Sequence, residues 1–179
     1  MKITELLGEA TEYDKKQSVE RKKPKSWLKT VSAFANTGGG VLIFGVADND
    51  EIVGIENIKE ASEFVSQKIK ERIDPLPEVF MELHKLENDK EILSVKILAG
   101  EETPYYYNGD GTTEAFIRIG NETVTASASE LKRLVLRGRN SSYDSLTSSY
   151  EYDDFSFSKL RERFKEWNGN SMTEKSFES

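Results

Sequence analysis

The stretch SAFANTGGGVLIFGVADND (Ser32 to Asp50) decides how this chain is read. Three consecutive glycines join a helical pattern to a continuous apolar run. A phosphate-binding loop has the opposite order, strand, then glycines, then helix, so that the helix N-terminus and its free N–H groups face the anion. Here a helix C-terminus would point at the ligand, and that end carries partial negative charge. No Gly-Lys-Ser/Thr follows the glycines, and no helix follows them either. The stretch therefore supports neither an ATP site nor a dinucleotide site. Its glycines are expected to be structural, with Gly38 capping the helix and Gly39 and Gly40 turning the chain tightly into a sheet.

On the N-terminal side, ERKKPKSWLKTVSAFANT reads as an amphipathic helix, with Pro24 in its first turn, where no N–H is needed. Trp27, Leu28, Val31, Phe34 and Ala35 recur on one face. On the C-terminal side, VLIFGV (Val41 to Val46) has the pattern of a strand buried on both faces. ADND is a turn, and EIVGI returns as the second strand of a hairpin. A second amphipathic helix, NIKEASEFVSQKIKERI, places Ile58, Ala61, Val65 and Ile69 inward and ends at DPLP. EVFMELHKL and EILSVKILA alternate as a hairpin about ENDK. The segment from Pro104 to Ser127 holds two further strand patterns around glycine-rich turns, and a capped helix begins at Ser127 or Ser129. Upstream, ITELLG reads as a short helix and TEYDKKQS as a short strand. The expectation is an α/β (α+β) domain over residues 1–139, a compact and mostly antiparallel mixed sheet with helices packed against it. A polar Ser- and Tyr-rich linker follows at 140–154. Residues 155–179 then read as a helical segment with Leu160, Phe164 and Trp167 on one stripe, which docks on the domain or a partner, or begins a further C-terminal region.

The chain has 179 residues and no cysteine, so disulfides and thiolate metal sites are excluded. No apolar stretch approaches the ~20 residues of a membrane span, and the expected setting is cytoplasmic. The net charge is −7, yet the window Lys15 to Lys29 holds Lys15, Lys16, Arg21, Lys22, Lys23, Lys25 and Lys29 against one acid, Glu20. That window is +6, leaving −13 elsewhere. Local fields outweigh the total, so the window is a candidate phosphate-contact surface. Arg133 and Arg137, one helical turn apart, and Arg139 form a second basic group, and Arg118 is placed to extend the surface from the sheet. Tyr105 to Tyr107 are adjacent in a strand, so at least one points inward and core packing is their expected use. His84, the lone histidine, is expected to be structural. The serines have no G-x-S-x-G context.

The segment KSWLKTVSAFANTGGGVLIFGVADNDEIVGI, with the later PYYY, AFIRIGNETVTAS and LKRLVLRG, closely resembles the Schlafen/AlbA-like DNA-binding domain, over roughly residues 5–139. That family is widespread in bacterial proteins labelled transcriptional regulators or divergent AAA ATP-binding proteins. The resemblance implies a compact α/β domain that binds DNA or RNA. In Schlafen-type members acidic residues form a metal-dependent RNA-cleaving site, whose motif E-x4-E-F-K and third acid in G-V-x-D fall here on Glu9, Asp14, Lys16 and Asp48. Asp14 stands where Glu is usual, and Lys15 where an aromatic is usual. Converging carboxylates hold Mg²⁺ or Mn²⁺ through oxygen, which would activate water against a phosphodiester while Lys16 offsets developing charge. Three readings result: a nucleic-acid-binding module of a regulator without catalysis of its own, a metal-dependent endoribonuclease, and an interaction or homodimerisation domain using the helix at 157–167.

Overall fold

The computed structural model describes residues 12–86, 89–139 and 162–163. The chain divides into two units, Met1–Tyr143 and Asp144–Ser179. In the second, the described residues 162 and 163 are helical. The expected helix at 3–8, Glu9, the linker and the Leu160/Phe164/Trp167 stripe lie outside the described residues.

In the first unit the order is β1 (Tyr13–Lys16), α1 (Lys25–Asn36), β2 (Gly40–Phe44), α2 (Ile58–Arg72), β3 (Ile73–Asp74), β4 (Val79–Lys85), β5 (Glu91–Ile97), β6 (Tyr106–Gly109), β7 (Thr112–Ile119), β8 (Glu122–Thr125) and α3 (Ala128–Gly138). These strands form two four-stranded sheets, β1-β2-β5-β4 and β3-β6-β7-β8. Only the β1–β2 pair is parallel, with Asp14 opposite Leu42 and Lys16 opposite Phe44. The mixed, mostly antiparallel α/β architecture is as expected, but it is divided between two sheets. Residues 104–127 supply three strands rather than two, because Asp110-Gly111, both at positive φ, make a tight turn inside the segment. The expected hairpin between VLIFGV and EIVGI contracts to a single bridge, Val46 to Ile52. The neighbours of β2 are instead β1 and β5, since a strand buried on both faces is used at the centre of a sheet.

α1 is the centre of the domain. From Trp27 to Asn36 every residue except Lys29 is buried, and the helix packs against strands of both sheets. The expected single apolar face is thus only part of the surface it buries, which is why Thr30, Ser32 and Asn36 are also interior. One side of β2 sends Leu42 and Phe44 into the main core with Trp27, Phe34, Leu93 and Ile97. Trp27 meets Phe44 edge-on with ring centroids 5.6 Å apart, and its indole N–H donates to the Glu20 carbonyl at 3.2 Å. The other side sends Val41 and Ile43 into a smaller cluster with Val46, Leu86 and Ile92. α3 starts with the expected cap, at Ser127: its hydroxyl accepts from the Glu130 N–H, and Glu130 returns a bond to the Ser127 N–H. Among the described residues no helix is long and apolar enough to cross a membrane.

Candidate nucleic-acid interface

The glycine turn is built for packing. The Gly39 N–H donates to the Phe34 carbonyl at 2.9 Å, closing the C-terminus of α1. Gly39, at φ +78°, is the residue in the left-handed region, and a Cβ there would lie 2.8 Å from the Ile97 carbonyl oxygen. Gly40 lies under the Phe34 ring. Gly38, the expected cap, has open space about it and no positive φ. The left-handed position thus falls one residue later, because Thr37 still belongs to the helix end. The polar residues before the glycines are equally structural. Asn36 donates to the carbonyls of Tyr105 (2.9 Å) and Phe116 (3.0 Å) and accepts from the Tyr105 N–H (2.7 Å). Ser32 donates to the Tyr105 carbonyl at 2.7 Å and accepts from the Phe116 N–H at 3.2 Å.

The basic window divides into engaged and unengaged cations. Lys15 and Lys16 alternate on β1. Lys15 bonds Asp50 at 2.6 Å and reaches the Asp48 carbonyl at 3.5 Å. The bond to Asp50 holds its ammonium above the usual lysine value, against a smaller opposing effect of burial. Lys16 pairs with both carboxylate oxygens of Asp14, at 3.1 and 3.0 Å. Arg21 bonds Glu60 at 2.7 Å. Lys25 bonds Glu114, whose carboxyl is held below its usual range by that bond, and it stands 5.4 Å from the Tyr107 ring centroid. Lys22 and Lys23 are exposed and carry no side-chain ion pair or hydrogen bond among the described residues. They are joined by the half-buried Lys29, in the same condition.

Asp14 and Asp48 line one cleft of about 290 Å³ with Glu12, Tyr13, Lys15, Arg118 and Asn121. Besides Lys16, Asp14 accepts from the Thr30 hydroxyl at 2.9 Å. Glu12 was not singled out from the sequence, although its position two residues before Asp14, at the mouth of a strand, places both on one side of the chain. Glu12 Oε2 lies 3.7 Å from Arg118 Nε, and neither atom has a hydrogen-bond partner among the described residues. Of the acids implied to hold Mg²⁺ or Mn²⁺, Asp14 and Asp48 meet at this cleft, and Glu9 lies outside the described residues. Asp14 is already bonded on both oxygens, and among the described residues no three His, Cys, Asp or Glu side chains are grouped to hold an ion.

Arg118 does not extend an exposed surface. Its side chain is 5% exposed, its guanidinium carbon lies 5.1 Å from the Phe34 ring centroid, and it donates to Thr123 at 3.0 Å. It also lines a second cleft, of about 260 Å³, together with Arg133 and Arg137 of α3, Asn36, Thr37 and Glu130. Arg139 lies at the end of α3, exposed. Tyr105 and Tyr107 are buried, and Tyr106 is half-buried, so at least two of the three tyrosines serve the core. His84 is half-buried in β4, its Nε2 2.8 Å from the Ser94 hydroxyl, a structural pairing across the sheet.

These features define an α/β domain of two sheets closed about a buried helix, with a lysine-rich approach to that helix and an arginine-lined cleft at its far end. The chain matches the Schlafen AlbA_2 family over residues 9–127 and belongs to it. No curated protein matches the sequence. Among solved structures, the crystal structure of the DIP2311 protein from Corynebacterium diphtheriae is similar at TM-score 0.50 and 17% identity, over 93% of this chain and 36% of that one. This chain thus spans little more than a third of that protein's length. The solution structure of the N-terminal domain of a RecG-related protein from Nitrosomonas europaea aligns at TM-score 0.47 and 21% identity, over 67% of this chain and 86% of that one.

Proposed function

We propose that this domain is a nucleic-acid-binding module of a regulator, holding the phosphate backbone through the Lys22/Lys23/Lys29 surface. The observation that carries the reading is the state of Lys22 and Lys23. In a chain of net charge −7, these two exposed cations have no acidic partner among the described residues, whereas Lys15, Lys16, Arg21 and Lys25 are each matched to a carboxylate. Unmatched, exposed cations are free to replace the counterions of a phosphate chain. Membership of the Schlafen AlbA_2 family supports the same reading. Recognition is of the backbone rather than of base sequence, because phosphate contacts position a protein without reading bases. The test is titration of labelled tRNA and of duplex DNA at several salt concentrations. Charge reversal of Lys22 and Lys23 lowers affinity and reduces the steepness of the log K against log salt plot by about 2, as expected when two phosphates are no longer neutralised. A doubly reversed variant that binds as tightly as the wild type removes the reading.

One observation favours a second reading, metal-dependent cleavage of RNA: Asp14 and Asp48, far apart in sequence, line the same cleft. Incubation of tRNA with Mn²⁺ and then with EDTA, followed by a denaturing gel, decides it. Metal-dependent shortening that is lost in Glu9→Ala and Asp14→Ala supports an endoribonuclease, and intact RNA rejects it.

A further inference from the structure

Three arginines from two separate elements, Arg118 on β7 and Arg133 and Arg137 on α3, line one cleft. Like charges gathered at close quarters repel unless anions answer them. Among the described residues the cleft has one carboxylate, Glu130. Its oxygens are directed to the start of α3, where Oε2 accepts from the Ser127 N–H at 2.9 Å and the Ser127 hydroxyl at 2.8 Å. These bonds hold the Glu130 carboxyl below its usual range, so the lining carries a formal +2, of which the Arg118 charge also faces Glu12, a residue outside the lining, at 3.7 Å.

The arginines are committed to different degrees. Arg137 donates one N–H to the Asn36 carbonyl at 2.7 Å, which answers the partial negative charge at the end of α1 and leaves its other donors over. Burial first, and the charge of Arg133 second, pull the Arg137 guanidinium below its usual value. An anion placed between the two side chains answers the repulsion and favours the charged form of Arg137. Arg118 is almost wholly buried, spends one donor on Thr123, and has its Nε 3.7 Å from Glu12 Oε2 without a hydrogen bond among the described residues. Arg133 is exposed and makes no hydrogen bond among the described residues. The cleft, at about 260 Å³, has room for about nine water molecules at ~30 Å³ each, enough for a partly hydrated tetrahedral oxyanion.

We infer that the Arg118/Arg133/Arg137 cleft is a pocket for a single phosphate group. A phosphate supplies the acceptors that guanidinium forks match and negative charge, about two on a terminal phosphate and one on an internal phosphodiester, that offsets the positive lining. The cleft stands at the end of α1 opposite to Lys22 and Lys23. The rise along the helix separates the two by about 17 Å, a span that one nucleic-acid strand can bridge. A strand reaching from the lysine surface therefore presents its end, or an internal phosphate, to this pocket. The inference rests on the nucleic-acid reading for the source of the phosphate, and on the arginines alone for the site.

The experiment uses the full chain, labelled with ¹⁵N, and follows amide and arginine side-chain signals during titration with inorganic phosphate, with sodium chloride as the ionic-strength control. Saturable shifts at Thr37, Arg133 and Arg137 are expected. Arg133→Glu, which alters an exposed side chain, weakens phosphate binding about tenfold or more and leaves the rest of the spectrum in place, while Arg133→Lys retains part of the binding. Shifts that do not saturate, or that Arg133→Glu leaves unchanged, overturn the inference. A second arm compares an octanucleotide with and without a 5′-phosphate. Tighter binding of the phosphorylated strand, lost in Arg133→Glu, identifies a strand end as the source. Equal binding that inorganic phosphate weakens, again dependent on Arg133, identifies an internal phosphate. Saturable phosphate shifts without any oligonucleotide binding retire the nucleic-acid reading and keep the pocket. Oligonucleotide binding that is indifferent to Arg133→Glu, with no saturable phosphate shift, retires the pocket and keeps the reading.

Discussion

Asn36→Ala tests the role assigned to the most distinctive part of the sequence. The Asn36 side chain is 1% exposed and joins α1 to two strand segments of the second sheet. Its loss strands the Tyr105 N–H, which bonded Oδ1 at 2.7 Å, and the Phe116 carbonyl, which accepted from Nδ2 at 3.0 Å. The Tyr105 carbonyl keeps a partner in Ser32 at 2.7 Å, and the Phe116 N–H keeps the same serine at 3.2 Å. Two buried backbone groups are therefore orphaned, at about 1 to 3 kcal/mol each, so the expected loss of stability is about 2 to 6 kcal/mol. Urea unfolding followed by circular dichroism measures it, as a shift of the midpoint with an unchanged slope. Asn36→Asp is expected to be worse at neutral pH, because a carboxylate replaces the amide N–H groups opposite two carbonyl oxygens. Its deficit shrinks on acidification, since the protonated acid again donates. An Asn36→Ala protein within about 0.5 kcal/mol of wild type, but defective in nucleic-acid binding, would refute the reasoning and return the segment to a ligand-binding role.

The glycines give a paired prediction in the same assay. Gly39→Ala, at φ +78° with the Ile97 carbonyl oxygen 2.8 Å from the new Cβ, destabilises by at least about 1 to 3 kcal/mol, while Gly38→Ala, with open space about it, stays within about 0.5 kcal/mol. At the start of α3, Ser127→Ala costs about 1 kcal/mol through the lost cap, measured by thermal unfolding. Bonds from Ser127 depress the Glu130 carboxyl in the folded state, so its contribution is complete above the unfolded carboxylate range and is lost as pH falls through the folded value. Glu130→Gln removes that part of the acid limb of the stability curve, and an unaltered acid limb contradicts the assignment. Because Lys25 is already held by Glu114, Lys25→Gln lowers nucleic-acid affinity less than Lys23→Gln at one fixed salt concentration. The reverse order, seen by fluorescence anisotropy, counts against the division of the basic window.

Much of the candidate site was legible because it depends on charge and local pattern. Lys22 and Lys23 precede α1, Lys25 opens it rather than preceding it, and Arg133 and Arg137 lie one turn apart on α3 and line one cleft. What pattern does not carry is the partner of each charge. Lys16 meets Asp14 within one strand, but Lys15 meets Asp50, and Lys25 meets Glu114 across 89 positions. Arg118 looks like any arginine on an alternating strand, and only packing against Phe34 puts it in the interior. Glu12 enters its cleft because β1 lies against β2, a pairing that no local signal announces.

The sequence by itself determined the order of the helices and of most strands, and the helix–glycine–strand polarity of Ser32 to Asp50 with its glycines used for packing. Each of these follows from backbone sterics, helix polarity and the period of apolar residues, which act over a few positions. Only the tertiary structure decided that the strands separate into two sheets, that α1 is enclosed on almost every side, and that Asn36 clasps two distant strand segments. Those outcomes depend on satisfying buried backbone groups and filling shared volume between segments 70 to 80 residues apart, and a buried N–H finds its acceptor in space, not in sequence.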